Sequence, residues 1–275
     1  MHELIAFVAV FAHSPYRLSM CTIVILNRPD NAWPILIAAN RDERLDRPWL
    51  FPAAHWPDRT DIVAGQDELA GGSWLGINAS GVVAAVLNRE GTLGPEAGKR
   101  SRGELVLDAL DYADALDAAE ALSALDARAY RPFNLVVADN RDAFLLTHRG
   151  ESAAVAVEPL PEGLSMVTAM ERDDPTSSRI RFHRPRFVAA PTPDPDSDDW
   201  RGWEAVLASR DREAGSGPGG AMFIDPAPGV EQGKFGTVSS SLIALPAIER
   251  AEIRPIWRFT EGPPESWTWR RVDGI

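Results

Sequence analysis

Cysteine is almost missing from this sequence: Cys21 is the only one in 275 residues. An intramolecular disulfide is therefore excluded, and so is a cysteine-cluster zinc or iron–sulfur site. Lysine is nearly as scarce, with only Lys99 and Lys234, so almost all positive charge is arginine. Basic residues number 28 against 40 acidic, a net charge of −12. That balance argues against a general nucleic-acid binder, which needs positive surface. The histidines are His2, His13, His55, His148 and His183, and none forms an H-x-x-x-H pair. No metal site is expected, and His148 and His183 read as surface or loop residues. No apolar run reaches the roughly 20 residues that span a bilayer, so no transmembrane segment is expected.

What is present is a globular composition, 45% hydrophobic and 25% charged. That suits a single domain near the upper end of ordinary size. Leu4 to Ala12 is an apolar run, but Met1-His2-Glu3 lacks the basic residues of a signal peptide. Three readings of residues 1–20 stand open: translation beginning at Met20, a pro-sequence removed to expose Cys21, and a packed N-terminal extension. On the first, the domain is 21–275, Cys21 becomes the N-terminus and a cytoplasmic location is the default.

Thr22 to Leu26 and Trp33 to Ala39 read as strands of a hairpin turning near Pro29 and Asp30. Counting outward sets Cys21 opposite Ala38 or Ala39. Asn40, Arg41 and Asp42 then emerge at the same end. Ser73 to Asn78 and Val82 to Asn88 form a second hairpin, with Asn88 opposite Gly71-Gly72. Ser101-Arg102-Gly103-Glu104 has the form of a capping box, with Glu104 as a helix cap. Tyr112 to Leu125 continues as a helix. Strands follow at Phe133 to Ala138, Ala143 to Thr147, Ala153 to Val157 and Leu164 to Thr168. A helix from Asp174 to about Val188 comes next, then an acidic, proline-rich linker from Pro191 to Asp199, a helix from Trp200 to Arg212 and a loop from Gly215 to Gly233. Thr237 to Leu245 and Ile253 to Phe259 close the fold. Hairpins dominate, so the class is α+β with mainly antiparallel sheets.

An N-terminal Cys21 would carry its own base. An α-amine has a pKa near 8 and accepts a proton at neutral pH, so thiol and base share one residue. Arg41 would lower the thiol pKa or hold a carbonyl or carboxylate. Asp42 would orient the ammonium form, and Asn88 would donate to an oxyanion. Gly72 and Trp74 border the same end of the second hairpin, as a pocket opening and a pocket wall. The competing reading makes Cys21 an inert strand residue and Arg41 a structural loop tie.

Several ordered motifs carry a family resemblance: Met20-Cys21-Thr22, Ala39-Asn40-Arg41-Asp42-Glu43, Gly71-Gly72-Ser73-Trp74-Leu75-Gly76-Ile77, Asn88, Arg102-Gly103-Glu104-Leu105 and Phe133-Asn134-Leu135. Phe235-Gly236-Thr237 adds a weaker match. Together they resemble the NRDE proteins of the transport-and-Golgi-organisation family, from Met20 onward. The resemblance implies an N-terminal-nucleophile hydrolase fold, an αββα four-layer sandwich. Its nearer relatives resemble penicillin V acylases and bile-salt hydrolases, which cleave C–N amide bonds.

The resemblance makes Cys21, Arg41, Asp42 and Asn88 the catalytic candidates, and Asn40, Gly72 and Trp74 the substrate-binding ones. Two departures weaken it. Val167-Thr168-Ala169-Met170 lacks the second acylase Asn, and Val238-Ser239 stands where family members often carry an Arg. The expected function is hydrolysis of a non-peptide amide, with no cofactor required. The alternative is a non-catalytic carrier for haem or another hydrophobic metabolite.

Overall fold

The computed structural model describes residues 21–226, 235–250 and 252–275. Residues 1–20, on which the start-site readings fall, lie outside the described residues, as does the end of the expected Gly215–Gly233 loop. In chain order the elements are β1 (Thr22–Asn27), β2 (Ile35–Arg44), β3 (Trp49–Ala53), β4 (Ile62–Asp67), β5 (Leu75–Asn78) and β6 (Val83–Asn88). Helices α1 (Gly103–Leu110) and α2 (Ala115–Ser123) follow. Then come β7 (Phe133–Ala138), β8 (Ala143–His148), β9 (Ala156–Pro159) and β10 (Gly163–Val167). The chain continues through α3 (Ser178–Ala189), α4 (Arg201–Leu207), β11 (Phe235–Leu245), β12 (Ile256–Glu261) and β13 (Arg270–Arg271).

The strands form two antiparallel sheets, ordered β10-β1-β2-β11-β12-β13 and β3-β4-β5-β6-β7-β8-β9. Strand pleating sends successive side chains to opposite faces, and the core clusters follow that alternation. Ile23, Ile25, Ile35 and Ile37 pack between the sheets with Leu75, Ile77, Val83, Ala85 and Leu87. Val24, Leu36, Ala38 and Leu242 pack outward with Ile180, Phe187, Trp203 and Leu207 of α3 and α4. Ala84, Leu135 and Val137 pack outward on the other side with Leu105, Leu110 and Leu122 of α1 and α2. The result is the expected αββα sandwich. Among the described residues no helix is long and apolar enough to cross a membrane.

Local chemistry explains the boundaries. The Glu104 carboxylate accepts from the Ser101 backbone N–H at 3.3 Å, and the Ser101 hydroxyl from the Gly103 N–H at 3.2 Å. The box is thus made, but the first helical residue is Gly103. Asp114 caps α2, accepting from Leu116 and Asp117. The Asn78 side chain ties the β5–β6 turn to the end of α1. It donates to the Leu110 and Tyr112 carbonyls and accepts from the Ser80 and Val82 N–H groups.

Several expectations are corrected. β2 does not stop at Ala39 but runs to Arg44, because β11 pairs with it from Phe235↔Arg44 to Leu245↔Ile35. Thr22 pairs with Asn40, so the first hairpin is offset from the expected register by about two residues. β3 and β4 had no clear signal. β3 contains Pro52 and an irregular register against β4, which obscures strand periodicity. His148 and His183 are not surface residues: they are 3% and 0% exposed. Burial is the main reason the His183 pKa falls to about 4, helped by the Arg179 and Arg186 charges.

Gly72 marks a close crossing. A Cβ there would lie 2.5 Å from the Gly103 carbonyl carbon and 2.7 Å from its oxygen, with backbone as the obstacle. Gly72→Ala must push the segment leading into β5 away from the start of α1. Urea unfolding is expected to show a loss of about 1–3 kcal/mol, the usual range for overpacking.

Candidate functional site

β1 and β2 are interior strands of one sheet, and the pleat of β2 divides its motif between two environments. Ala39 and Arg41 share the inter-sheet face with Ile35 and Ile37, whereas Asn40 and Asp42 share the α3–α4 face with Leu36 and Ala38. Cys21 packs against the inter-sheet core just ahead of β1. A cleft of about 340 Å³, its open mouth included, lies where the sheets part. It is lined by Cys21, Arg41, Trp74 and Ser239 over a floor that includes Ile23 and Leu87.

Cys21 is half-buried and adopts φ 31°, in the left-handed region that L side chains rarely occupy. Its thiol lies 3.6 Å from the Asp42 backbone carbonyl, to which it donates. Dense surroundings push the thiol pKa up to about 12: desolvation is the main cause, the Asp42 charge adds to it, and Arg41 opposes both.

Arg41 is 6% exposed. Its guanidinium lies over the Trp74 ring, 4.2 Å from the centroid, and its Nη2 is 3.9 Å from the Glu43 carboxylate. Nη1 is buried with no hydrogen-bond partner among the described residues. Burial lowers the Arg41 pKa, with Glu43 and Cys21 acting against that. Trp74 is held from below by Gly65, where a Cβ would lie 2.3 Å from the ring, and it meets Trp49 edge-on at 5.8 Å. The indole is therefore a fixed platform for Arg41.

The Asp42 carboxylate is on the opposite side of the strand. It accepts from Arg179 Nη1 at 2.8 Å and from the Thr237 hydroxyl at 2.6 Å. Arg179 Nη1 also donates to the Thr22 hydroxyl at 2.7 Å, and Nε donates to the Gly219 carbonyl at 2.9 Å. Both partners of the ion pair have no exposed side-chain surface. Burial pushes the Asp42 pKa up, while Arg179 and Thr237 hold it down. Thr237 is itself fixed by accepting from the Ile224 N–H at 2.9 Å.

The structure thus brings Cys21, Arg41 and Trp74 together at one cleft and directs the other candidate side chains elsewhere. The Asn40 amide donates to the Leu207 and Met222 carbonyls at 3.1 and 2.9 Å, and its oxygen accepts from Ser240 at 2.6 Å. Asn88 is not among the lining residues, which come from β6 as Ala85, Val86 and Leu87. The pleat sets it on the face of Ala84 and Val86, toward α1 and α2. Gly72 packs on Gly103 rather than lining the cleft. Asn134, from the Phe133-Asn134-Leu135 motif, donates to the Thr168 and Met170 carbonyls and accepts from Arg89.

Sequence reasoning missed Arg179 and Ser239. α3 carries Arg179, Arg181, Arg184 and Arg186, and only burial separates the first from the others. The one available signal was the i, i+4, i+8 spacing of Arg179, His183 and Phe187, a single helix face that turns out to be buried.

A family profile described as Transport and Golgi organisation 2 matches residues 20–183, more than half of the chain. The chain belongs to this family. The mouse Transport and Golgi organization 2 homolog is 34% identical over 145 residues, 49% of this chain and 51% of that protein. The human homolog is 35% identical over the same length and shares. The chain therefore matches about half the length of these curated family members. Solved structures carry the fold further. A Caenorhabditis elegans N-acylethanolamine-hydrolyzing acid amidase ortholog aligns with a TM-score of 0.51 at 14% identity, covering 84% of this chain and 96% of its own. Penicillin V acylase from Agrobacterium tumefaciens gives 0.55 at 13%, covering 92% and 86%. A mutant of conjugated bile acid hydrolase from Clostridium perfringens gives 0.55 at 14%, covering 93% of each. These likenesses establish the N-terminal-nucleophile hydrolase fold for this family member.

Removing one partner of a buried pair strands the other charge. Arg179→Met is expected to destabilise by about 3–5 kcal/mol, and the double variant with Asp42→Asn by clearly less; a double-mutant cycle in urea measures the coupling. The raised thiol pKa predicts sluggish alkylation of Cys21 in the 275-residue chain. Its iodoacetamide rate should fall below that of glutathione at about pH 7.5 and still climb with pH beyond about 10, because only the thiolate reacts.

Proposed function

We propose that the chain hydrolyses a non-peptide amide with Cys21 as an N-terminal nucleophile. The observation that carries this reading is the meeting of Cys21 and the buried, partly unpaired Arg41 in one cleft of an N-terminal-nucleophile hydrolase fold. An amide-cleaving chemistry comes from the names of the structural neighbours and is assigned to this chain as a proposal.

The acid–base chemistry depends on a free Cys21 amine. Inside a peptide bond the thiol is held protonated. As an N-terminus, Cys21 gains an amine with a pKa near 8 that takes the thiol proton. The added positive charge and Arg41 then favour the thiolate. The sulfur attacks the amide carbon, forming a C–S bond and a tetrahedral oxyanion. The oxyanion collapses, the C–N bond breaks, and the ammonium returns its proton to the leaving nitrogen. Water, activated by the amine, hydrolyses the thioester and frees the carboxylic acid.

Asp42 orients Cys21 through its backbone carbonyl, while its carboxylate is committed to Arg179. Trp74 fixes the Arg41 plane. Asn40 acts through structure, and Asn88 and Gly72 support the cleft from outside its lining.

The test compares chains beginning at Cys21 and at Met1 on a panel of short acyl-amides, with Cys21→Ala as control. The chain beginning at Cys21 should turn over at least one amide, and Cys21→Ala should lose at least about 100-fold at an unchanged unfolding midpoint. Equal turnover by both chains, or by Cys21→Ala, would overturn the mechanism. No turnover together with a saturable Soret shift on haem titration would favour a carrier.

A further inference from the structure

The β2–β11 pairing contains one irregularity, and it lies at the cleft. Thr237 pairs with Asp42 and Ser239 pairs with Arg41, with the register shifting between them. Arg41 and Asp42 point to opposite faces, so partners two residues apart could not follow them in a regular strand. Val238 is the extra residue that solves this. It leaves Thr237 on the Asp42 side and turns Ser239 toward Arg41. Ser241, two residues on, accepts from the Trp257 indole at 3.1 Å. The Ser239 hydroxyl has no such bond to a described residue and lines the cleft.

Two groups on this cross-strand pair therefore have no hydrogen-bond partner among the described residues: Arg41 Nη1 and Ser239 Oγ. Leaving a buried guanidinium N–H unpaired is unfavourable, and a ligand oxygen relieves it. Glu43, at 3.9 Å from Nη2, does not occupy Nη1. A planar anion with two oxygens matches a guanidinium edge and a neighbouring hydroxyl. The floor beside the pair is aliphatic: Ile23, Ala39, Leu75, Ala85 and Leu87. Among the lining residues Arg41 is the one cation, so nothing there pairs a second negative charge. Alanines face this floor from both sheets, Ala39 and Ala85, which suits a slim chain rather than a ring system.

We propose that Arg41 and Ser239 form a carboxylate subsite and that the cleft binds short aliphatic monocarboxylates, their chains lying on the floor between the sheets. On the hydrolase reading, which this assignment deepens, such an acid is the product of amide cleavage. The tetrahedral oxygen then sits where one carboxylate oxygen sits, and the substrates are amides of short aliphatic acids.

Calorimetric titration of the full chain with sodium hexanoate at neutral pH tests the subsite without requiring turnover. Hexanoate should bind at least about tenfold more tightly than hexan-1-ol, as a charge-assisted contact requires, and more tightly than hexanedioate. Ser239→Ala should weaken hexanoate about fivefold at an unchanged unfolding midpoint, and Arg41→Gln should weaken it further. Equal affinity for hexanoate and hexan-1-ol, unaltered affinity in Ser239→Ala, or displacement by equimolar inorganic phosphate would overturn the proposal. Hexanoate binding in a preparation without turnover keeps the subsite and removes the hydrolase reading. Turnover without hexanoate binding does the reverse.

Discussion

The ion pair between Arg179 and Asp42 ties a helix layer of the sandwich to the sheet beneath it at one point. Arg179 comes from α3, Asp42 from β2, and the same guanidinium reaches Thr22 on β1 and the Gly219 carbonyl. Two charges without solvent are tolerable only when their remaining hydrogen-bonding positions are filled. Thr22, Thr237 and Gly219 fill most of them, although Arg179 Nη2 is buried without a hydrogen-bond partner among the described residues. The consequence reaches the cleft. Thr22 follows Cys21 and Asp42 follows Arg41, so one guanidinium fixes the spacing of the nucleophile candidate and its cationic neighbour.

The same constraint redistributes the roles within the Asn40-Arg41-Asp42-Glu43 motif. A pleated strand must show alternate residues to opposite faces. Asn40 and Asp42 therefore build the sheet–helix layer, and Arg41 alone is delivered deep into the inter-sheet cleft. The bulge at Val238 lets β11 match both faces at once. A four-residue motif that looks like one functional unit in the sequence is thus two interleaved ones. One holds the layers together, and the other faces the inter-sheet cleft. Electrostatics follow the same division. Desolvation and the Asp42 charge raise the Cys21 thiol pKa, whereas the Arg41 charge on the other face of β2 opposes both.

Much of this was legible from residue order. β7 follows its apolar run with the expected bounds, and the capping-box chemistry appears between Ser101 and Glu104. The first hairpin count brought Cys21 and Arg41 to one end, and an error of about two residues did no harm because a shift of two preserves strand faces. For Asn88 the count set the position along the strand but not the face, and the pleat turns that face away from the cleft lining. β3 and β4 were missed because Pro52 and a broken register hide their periodicity.

Local patterning and family motifs were sufficient for the fold class, the hairpins and the pairing of Cys21 with Arg41, since these depend on neighbours within a few dozen residues. Arg179 is 137 positions from Asp42, and Thr237 is 195. Along the chain only a helix face shared with His183 and Phe187 sets Arg179 apart from Arg181, Arg184 and Arg186, because an arginine's burial is decided by what packs over it. Which members of the motif face the cleft, which are locked beneath α3, and that Ser239 stands beside Arg41 were therefore decided by tertiary structure alone.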